Sequence, residues 1–286
     1  MGLTPTRELI DAALATGSGL GSFNVLHLET AEAIVAGAET AGLPVILQIS
    51  QNCATYHGAL KPIAAAAAAV AGAAQIPVAL HLDHAEDEQL VYEALDLGFG
   101  SVMYDGAHLA FGDNVAATRR VVQRAHARGV FVEAELGKVG GKDGAHAPGV
   151  RTDPREAAAF LEATGVDALA VAVGSSHAMT VRGASLDLRL IERLKSAVAV
   201  PLVLHGSSGV PDGVLVQAIN AGMTKINVST HLNGFFTRAI RDVLSSRPDL
   251  VDSRTYIAAG RDALAAEAAR LLALLSLQSQ LANPVG

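Results

Sequence analysis

Three histidines stand at or just after the ends of apolar runs, and their residue type allows metal-assisted chemistry. His84 closes PVALHLDH (77–84), His177 follows ALAVAVG (168–174), and His205 stands near the end of PLVLHG (201–206). Three neutral imidazoles around a position left open for substrate make a zinc site that acts as a Lewis acid. A single such histidine is more often a hydrogen-bonded core residue. The joint placement of all three at strand ends therefore predicts a metal centre.

Two neighbours of His84 have different expected roles. Asp83 precedes it directly, and a carboxylate beside a metal ligand is suited to act as a general acid or base. His81 lies an odd number of residues from His84. Because strand side chains alternate between the two faces, His81 is expected on the opposite side of the strand, with a packing role.

Eight short apolar runs, separated by segments of helical period, must position these side chains. Parallel strands that alternate with helices in this way predict a (β/α)8 TIM barrel, with an extra helix near the C-terminus. No linker or charge run divides the sequence, so a single domain over residues 1–286 is expected. A doubly wound open sheet is the alternative, but the first run lacks the GxGxxG turn that would favour it. The runs are GSFNV (21–25), PVILQIS (44–50), PVALHLDH (77–84), SVMYDG (101–106), FVEAELG (131–137), ALAVAVG (168–174), PLVLHG (201–206) and KINVST (225–230).

The C-terminal strand ends of such a barrel carry its chemistry, so polar residues there are candidates for the site. In chain order they are Asn24, Gln48, Ser50, Asp83, His84, Asp105, Glu133, Glu135, His177, His205, Asn227, Ser229 and Thr230. The glycine-flanked HGSSG (205–209) and the NVST turn (227–230) present backbone N–H groups and hydroxyls, which suit a phosphate.

Composition restricts the class of partner. A net charge of −7 with scattered basic residues gives no footprint for nucleic acid or an acidic membrane surface. The single cysteine, Cys53, excludes an intrachain disulfide and fits a reducing cytosol. The N-terminus reads as a capped helix instead of a signal peptide, and IAAAAAAVAGAA (63–74) is too short to span a bilayer. A cytoplasmic protein with a small-molecule partner is predicted.

Taken together, HLDHA, EAELGKVGG, AVAVGSSH, VLHGSSGVP and KINVST, in this order, resemble the class II, zinc-dependent fructose/tagatose-bisphosphate aldolase family. The resemblance extends from FNV (23–25) to DSRTYIAAGRDA near the C-terminus. It implies reversible cleavage of a ketose phosphate or bisphosphate to dihydroxyacetone phosphate and an aldehyde. It also implies a catalytic zinc ion, with room for a monovalent cation, and a homodimer or homotetramer.

The resemblance also assigns roles to individual residues. It implies that His84, His177 and His205 bind the zinc ion and that Glu135 lies near an alternative position of the metal. Asp83 is implied as the acid/base at the cleaved bond, and Asp143 as an acid that moves the proton at C3. The implied substrate-binding residues are Asn24, Gln48, Ser50, Gly206, Ser208, Asn227, Ser229 and Thr230.

Some positions depart from the family pattern. Ala178 follows His177 where the family has glycine, and the loop GGKDGAH is shorter, with Lys142 where an acid is usual. The amide of Ala178 could bind a phosphate only with a negative φ or with some strain. Tyr104 and Ala107 also differ, and the departures cluster around the loop and the aldehyde half of the substrate. The aldehyde could therefore be glyceraldehyde 3-phosphate or an anionic aldehyde such as sulfolactaldehyde or malonate semialdehyde, although Lys142 could equally be a solvated loop residue.

Other functions remain open from the sequence. A Schiff-base aldolase needs a lysine at a strand end, and Lys138 is the one near such an exit, whereas Lys225 opens a strand. An amidohydrolase-like zinc hydrolase expects an HxH pair in the first strand, where this chain has FNV. A non-catalytic barrel that binds a sugar phosphate, or acts as an aldolase chaperone, is the alternative to an enzyme.

Overall fold

The computed structural model describes residues 2–137 and 151–277, which form a closed barrel of parallel strands. The short strand β1 pairs with the start of β4, and β4 pairs with β5 to close the ring formed by β2 to β9. The predicted (β/α)8 barrel and its eight strands are confirmed. The strands are β1 (Gly2–Leu3), β2 (Leu20–Asn24), β3 (Val45–Ser50), β4 (Pro77–Ala85), β5 (Ser101–Tyr104), β6 (Phe131–Leu136), β7 (Ala168–Val171), β8 (Leu202–Leu204) and β9 (Met223–Val228).

Helices surround the barrel, and local sequence signals explain several of their ends. The side chain of Asp153 accepts hydrogen bonds from the backbone N–H groups of Arg155 and Glu156 at the start of α7, as an N-cap does. The helices are α1 (Thr6–Thr16), α2 (Leu28–Ala41), α3 (Gln51–Tyr56), α4 (Leu60–Ala73), α5 (Glu88–Asp96), α6 (Phe111–His126), α7 (Pro154–Thr164), α8 (Leu188–Ala197), α9 (Asp212–Ala221), α10 (Thr230–Ser246) and α11 (Ser253–Leu275), with a 3-10 turn at Ser207–Gly209.

The predicted extra helix is present, and its packing shows how the ring of helices closes. The long helix α11 packs against α2 and also contacts α9 and β2. It therefore fills the position between α2 and α9. Helix α10 follows the last strand but packs mainly on α11. The C-terminal helix is therefore part of the wall around the barrel.

Two apolar cores lie on the two sides of the sheet. The larger one joins the outer face of the strands to the helices and includes Cys53, where burial raises the pKa of the thiol to about 11. The second core fills the lower part of the barrel interior and is covered by Leu9, Ile10 and Ala13 of α1. Helix α1 thus closes the end of the barrel opposite the carboxyl ends of the strands.

Strand β4 is irregular near its end, and this corrects the prediction for His81. The register shifts between Leu82 and Ala85, and His84 has a left-handed φ of 48°. Such a backbone breaks the alternation of side chains, so His84 turns to the same side as Asp83. His81 also faces the barrel interior, because its ring lies 2.8 Å from Ser101 Oγ and 3.8 Å from Glu133 Oε2. Counting residues from His84 gave the wrong face because it assumed a regular strand.

Candidate active site

A cavity of about 240 Å³ opens at the carboxyl ends of the strands. Its walls come from six strands and the segments that follow them, so residues distant in the chain meet there. The lining residues are Asn24, Gln48, Ser50, Asn52, Asp83, His84, His177, Ala178, Gly206, Ser208, Asn227, Ser229 and Thr230. All eight predicted substrate-binding residues are among them.

The three predicted histidines and Glu135 form one cluster at the side of this cavity. Their candidate ligand atoms lie within 4.8 Å of one another. His205 Nδ1 is 2.9 Å from His84 Nε2 and 3.5 Å from Glu135 Oε2, and the rings of His84 and His177 are 5.0 Å apart. Imidazole nitrogens with one carboxylate are a donor set that suits zinc and related divalent ions. The residues present therefore fit a metal ion.

Carboxylates contact the outer nitrogens of two of these histidines. Asp105 Oδ2 lies 2.7 Å from His84 Nδ1, and Glu133 Oε1 lies 2.9 Å from His205 Nε2. A carboxylate can only accept at this distance, so each histidine donates its outer N–H and keeps the inner nitrogen unprotonated. His84 thus offers Nε2 and His205 offers Nδ1 to a metal. Asp105 and Glu133 stood among the strand-end residues of the sequence, but no role was assigned to them.

The environment of His205 keeps its ring neutral. The side chain is fully buried, and desolvation lowers its pKa well below the ordinary value of 6.5. The neighbouring His84 and Lys225 act in the same direction, whereas Asp83 opposes them. Since only the unprotonated nitrogen can bind a cation, the buried site maintains the form of His205 that metal binding needs.

Asp83 lies between two amides on the cavity wall and is 3% exposed. Gln48 donates from Nε2 to Asp83 Oδ2 at 3.4 Å, and Asn227 donates from Nδ2 to Asp83 Oδ1 at 3.3 Å. Gln48 is itself fixed, because it donates to Asn24 Oδ1 at 2.6 Å and accepts from the hydroxyl of Ser22 at 2.5 Å. The carboxylate is therefore oriented beside His84 while still lining the cavity.

Backbone turns after β8 and β9 form another part of the cavity wall. Gly206 has a φ of 66°, and a Cβ there would lie 2.7 Å from the backbone of Ser176, so a side chain is excluded. This close approach brings the turn at Ser208 against the segment of His177. The backbone N–H of Ser229 donates to Ser208 Oγ at 3.3 Å, and this hydrogen bond joins the turn after β9 to the turn after β8. Hydroxyls and N–H groups gathered in this way are typical of an anion site.

Ala178, which lines the cavity directly after His177, adopts a left-handed backbone with φ of 58°. An alanine at this position can direct its amide at a phosphate only with a negative φ or with strain. The positive φ of Ala178 is the strained one of these two alternatives. A non-glycine residue in this region costs on the order of 1 kcal/mol. The backbone conformation that directs the amide of Ala178 is therefore a strained one.

The remaining sequence predictions have mixed outcomes. Tyr104 is buried in the layer between the strands and the helices, so assigning its departure to the aldehyde half of the substrate was wrong. Asp143, Lys142 and Lys138 lie outside the described residues. Asn52, an exposed residue of α3 at the cavity wall, had no assigned role, although its position two residues after Ser50 was a usable signal.

Lys225 does not open towards the cavity as a Schiff-base lysine would. It is 1% exposed and lies in the barrel interior, where its Nζ is 2.9 Å from Glu133 Oε2. It is not one of the lining residues of the cavity. A buried, ion-paired ammonium is a poor nucleophile.

The chain is similar to known aldolases in sequence and in structure. The sequence model described as "Fructose-bisphosphate aldolase class-II" matches residues 4–280. A fructose-bisphosphate aldolase of Geobacillus stearothermophilus is 40% identical over 270 residues, covering 93% of this chain and 94% of that protein. The crystal structure of the YdjI aldolase from Escherichia coli K12 has a TM-score of 0.83 at 30% identity, covering 97% of this chain and 99% of that one.

A second solved structure gives a similar result. The putative fructose-1,6-biphosphate aldolase from Coccidioides immitis has a TM-score of 0.85 at 29% identity, covering 95% of this chain and 96% of that one.

In the part of the chain that the structure describes, none of the helices has the length and apolar character to cross a membrane.

Proposed function

This chain belongs to the class II fructose-bisphosphate aldolase family and is an aldehyde-lyase, and from that premise we propose its metal, substrate and residue roles. The reaction is the reversible aldol cleavage of a ketose phosphate. We propose dihydroxyacetone phosphate as the donor product and zinc as the metal. The observation that carries the proposal is the cluster of His84, His177 and His205 at the side of the cavity that Asp83 lines.

The three histidines would hold the zinc ion, with Glu135 close enough to take part when the ion shifts position. Glu135 Oε2 is 3.5 Å from His205 Nδ1 and 4.0 Å from the ring of His84. When bound, the divalent ion would supply positive charge next to the oxygens on which the enediolate charge develops. The class II family is metal-dependent, whereas the identity of the ion is part of this proposal.

Asp83 would move the proton of the cleaved bond. As the bond between C3 and C4 breaks, Asp83 takes the proton from the C4 hydroxyl, C4 becomes the aldehyde carbon, and the bonding electrons remain on the C3 side. In the direction of synthesis the same carboxyl returns the proton. The amides of Gln48 and Asn227 orient the carboxylate for this transfer. Asp143 is proposed as the acid that protonates C3 and lies outside the described residues.

The phosphate of the donor half would lie against the turns after β8 and β9. Gly206, Ser208, Ser229 and Thr230 line the cavity there, and their hydroxyls and backbone N–H groups can donate to phosphate oxygens. Asn227 has a buried Oδ1 without a hydrogen-bond partner among the described residues, which suits a substrate hydroxyl. Asn24, Gln48 and Ser50 would contact the rest of the chain of the sugar.

Lys142 bears on the aldehyde half of the substrate. Glyceraldehyde 3-phosphate or another anionic aldehyde would fit the substitution of a lysine, Lys142, for an acid in the loop after β6. If Lys142→Ala leaves the ranking of ketose phosphates by kcat/KM unchanged, Lys142 is a solvated loop residue and the argument for an anionic aldehyde is lost.

We also propose that the chain is one domain over residues 1–286 that assembles as a homodimer or homotetramer in the cytoplasm. Light scattering coupled to gel filtration measures the assembly directly. A non-catalytic barrel that binds a sugar phosphate, or assists another aldolase, is the alternative. It would be favoured if Asp83→Ala kept its metal and lost no cellular function.

The deciding experiment is a coupled assay for release of dihydroxyacetone phosphate, run with and without a strong chelator. The panel contains fructose and tagatose 1,6-bisphosphates, 6-deoxy-6-sulfofructose 1-phosphate and 2-deoxy-5-ketogluconate 6-phosphate. We expect cleavage of at least one compound, abolished by the chelator and restored by Zn²⁺. Cleavage that resists the chelator would contradict the metal-dependent mechanism, and release from none of the compounds would contradict the proposed substrate class.

A further inference from the structure

A line of buried polar side chains continues from the metal cluster down into the barrel. Glu133 is fully buried and accepts from His205 Nε2 at 2.9 Å through one carboxylate oxygen. The other oxygen lies 2.9 Å from Lys225 Nζ, which is in turn 3.4 Å from His81 Nε2. His81 Nδ1 lies 2.8 Å from Ser101 Oγ. The mechanism proposed above uses none of these residues except His205.

The contact with Glu133 decides which nitrogen of His205 is offered to the metal. An imidazole can be protonated on either nitrogen, and the hydrogen bond made by one of them selects the tautomer. Because Glu133 accepts from Nε2, Nδ1 is left unprotonated, 2.9 Å from His84 Nε2. An outer carboxylate of this kind also fixes the ring orientation and raises the basicity of the ligand.

Lys225 restrains the carboxylate that performs this task. Glu133 lies outside the group of candidate ligand atoms, on the far side of the His205 ring. The ammonium group attracts one of its oxygens away from the cluster while the other remains on His205. The carboxylate of Glu133 is thereby held as a hydrogen-bond acceptor for His205 and is kept from approaching the proposed metal ion as a further ligand.

The stability of the fold does not by itself explain a buried ion pair between Glu133 and Lys225. Apolar side chains share the barrel interior with the pair, among them Ile46, Met103 and Phe131. Replacing a buried ion pair with well-packed apolar side chains is often neutral or stabilising, so folding by itself gives no reason for charges at this level. The contact with a metal-ligand histidine gives one.

We propose that Glu133 and Lys225 are positioning residues of the metal centre, in which Glu133 fixes the tautomer and orientation of His205 and Lys225 fixes Glu133. This inference rests on the proposed function, because it requires that His205 bind a metal. Neither residue lines the cavity, so both act through His205.

The test measures Co²⁺ binding and its visible absorption spectrum in the full chain, with no substrate present. For Glu133→Gln we expect a roughly 10- to 100-fold loss of affinity and an altered spectrum, since outer-shell partners of metal ligands typically have effects of this size. Lys225→Met should lose less affinity, because the carboxylate acceptor stays while its restraint is removed. Ser101→Ala is the matched control. It removes a buried hydrogen bond from the same line without touching Glu133, so it should lower thermal stability and leave affinity and spectrum unchanged.

The double variant Glu133→Gln/Lys225→Met separates positioning from stability. Removing the unpaired lysine should restore the thermal stability lost in Glu133→Gln, but the weak Co²⁺ affinity should remain because His205 still lacks its carboxylate. The proposal is overturned if the double variant restores both, or if Glu133→Gln keeps the affinity and spectrum of the wild type. Failure of the wild type to bind Co²⁺ tightly would overturn both proposals. Binding without cleavage of any ketose phosphate would overturn the proposed function alone.

Discussion

His205 Nδ1 lies 2.9 Å from His84 Nε2, although 121 residues separate them in the chain. The two nitrogens face the same point because the outer nitrogen of each ring is occupied, by Glu133 for His205 and by Asp105 for His84. With His177 alongside, the carboxyl ends of three strands present a preorganised set of candidate metal ligands.

Removing one of the proposed metal ligands should nearly abolish activity. For His177→Ala, we expect metal content to fall and cleavage to drop by a factor on the order of a thousand or more, since the cation contributes several kcal/mol to transition-state stabilisation. Metal content is measured by elemental analysis beside the rate. His126→Ala is a suitable control, because His126 lies at the end of α6 and pairs with Asp167. Full activity in a metal-free His177→Ala protein would contradict the assignment.

Replacing the proposed proton carrier should impair catalysis without removing the metal. Asp83→Asn keeps the size of the side chain but cannot accept the proton of the C4 hydroxyl, so kcat should fall by about 10²- to 10⁴-fold. Metal content and thermal stability should stay close to wild type. A variant whose kcat drops by less than about tenfold would show that another group moves this proton.

Relieving the backbone strain at Ala178 should stabilise the protein. Its φ of 58° is readily adopted by glycine, so Ala178→Gly should raise the free energy of unfolding by about 1 kcal/mol and the Tm by roughly 2 °C. Ala36→Gly, at an exposed position inside α2, is the control and should lose about the same amount. A lower Tm for Ala178→Gly would mean that this backbone is not under strain.

Glu267 should make stability depend on acid pH. Burial alone raises its pKa, but hydrogen bonds from Arg270 and His231, both at 2.6 Å, outweigh burial and lower the pKa from 4.5 to about 2. A carboxyl with a depressed pKa in the folded state stabilises the protein above pH 4.5, and this stabilisation disappears as the pH falls towards 2.

Comparison with Glu267→Gln isolates that contribution. The wild type should be the more stable protein above pH 4.5, and the difference in unfolding free energy should shrink between pH 4.5 and about 2. Urea unfolding at a series of pH values measures it. A difference that stays constant over this range would show that Glu267 has an ordinary pKa in the folded protein.

The periodicity of the sequence was sufficient for the barrel and for most of the cavity wall. Apolar runs identified all eight barrel strands, and the rule that parallel strands end at one rim brought Asn24, Gln48, Asp83 and Asn227 together without a structure. Such inferences depend only on local pattern and on the fixed direction of strands in this fold.

The direction in which individual side chains point within the barrel could be decided only by the tertiary structure. The left-handed φ of His84 breaks the alternation of β4, so the face of His81 could not be obtained by counting residues. Lys225 appeared to open a strand, yet its side chain reaches Glu133 in the interior. A sequence defines which strands meet, but the tautomer of a histidine and the partner of a buried charge depend on contacts across the barrel, between residues that no local pattern connects.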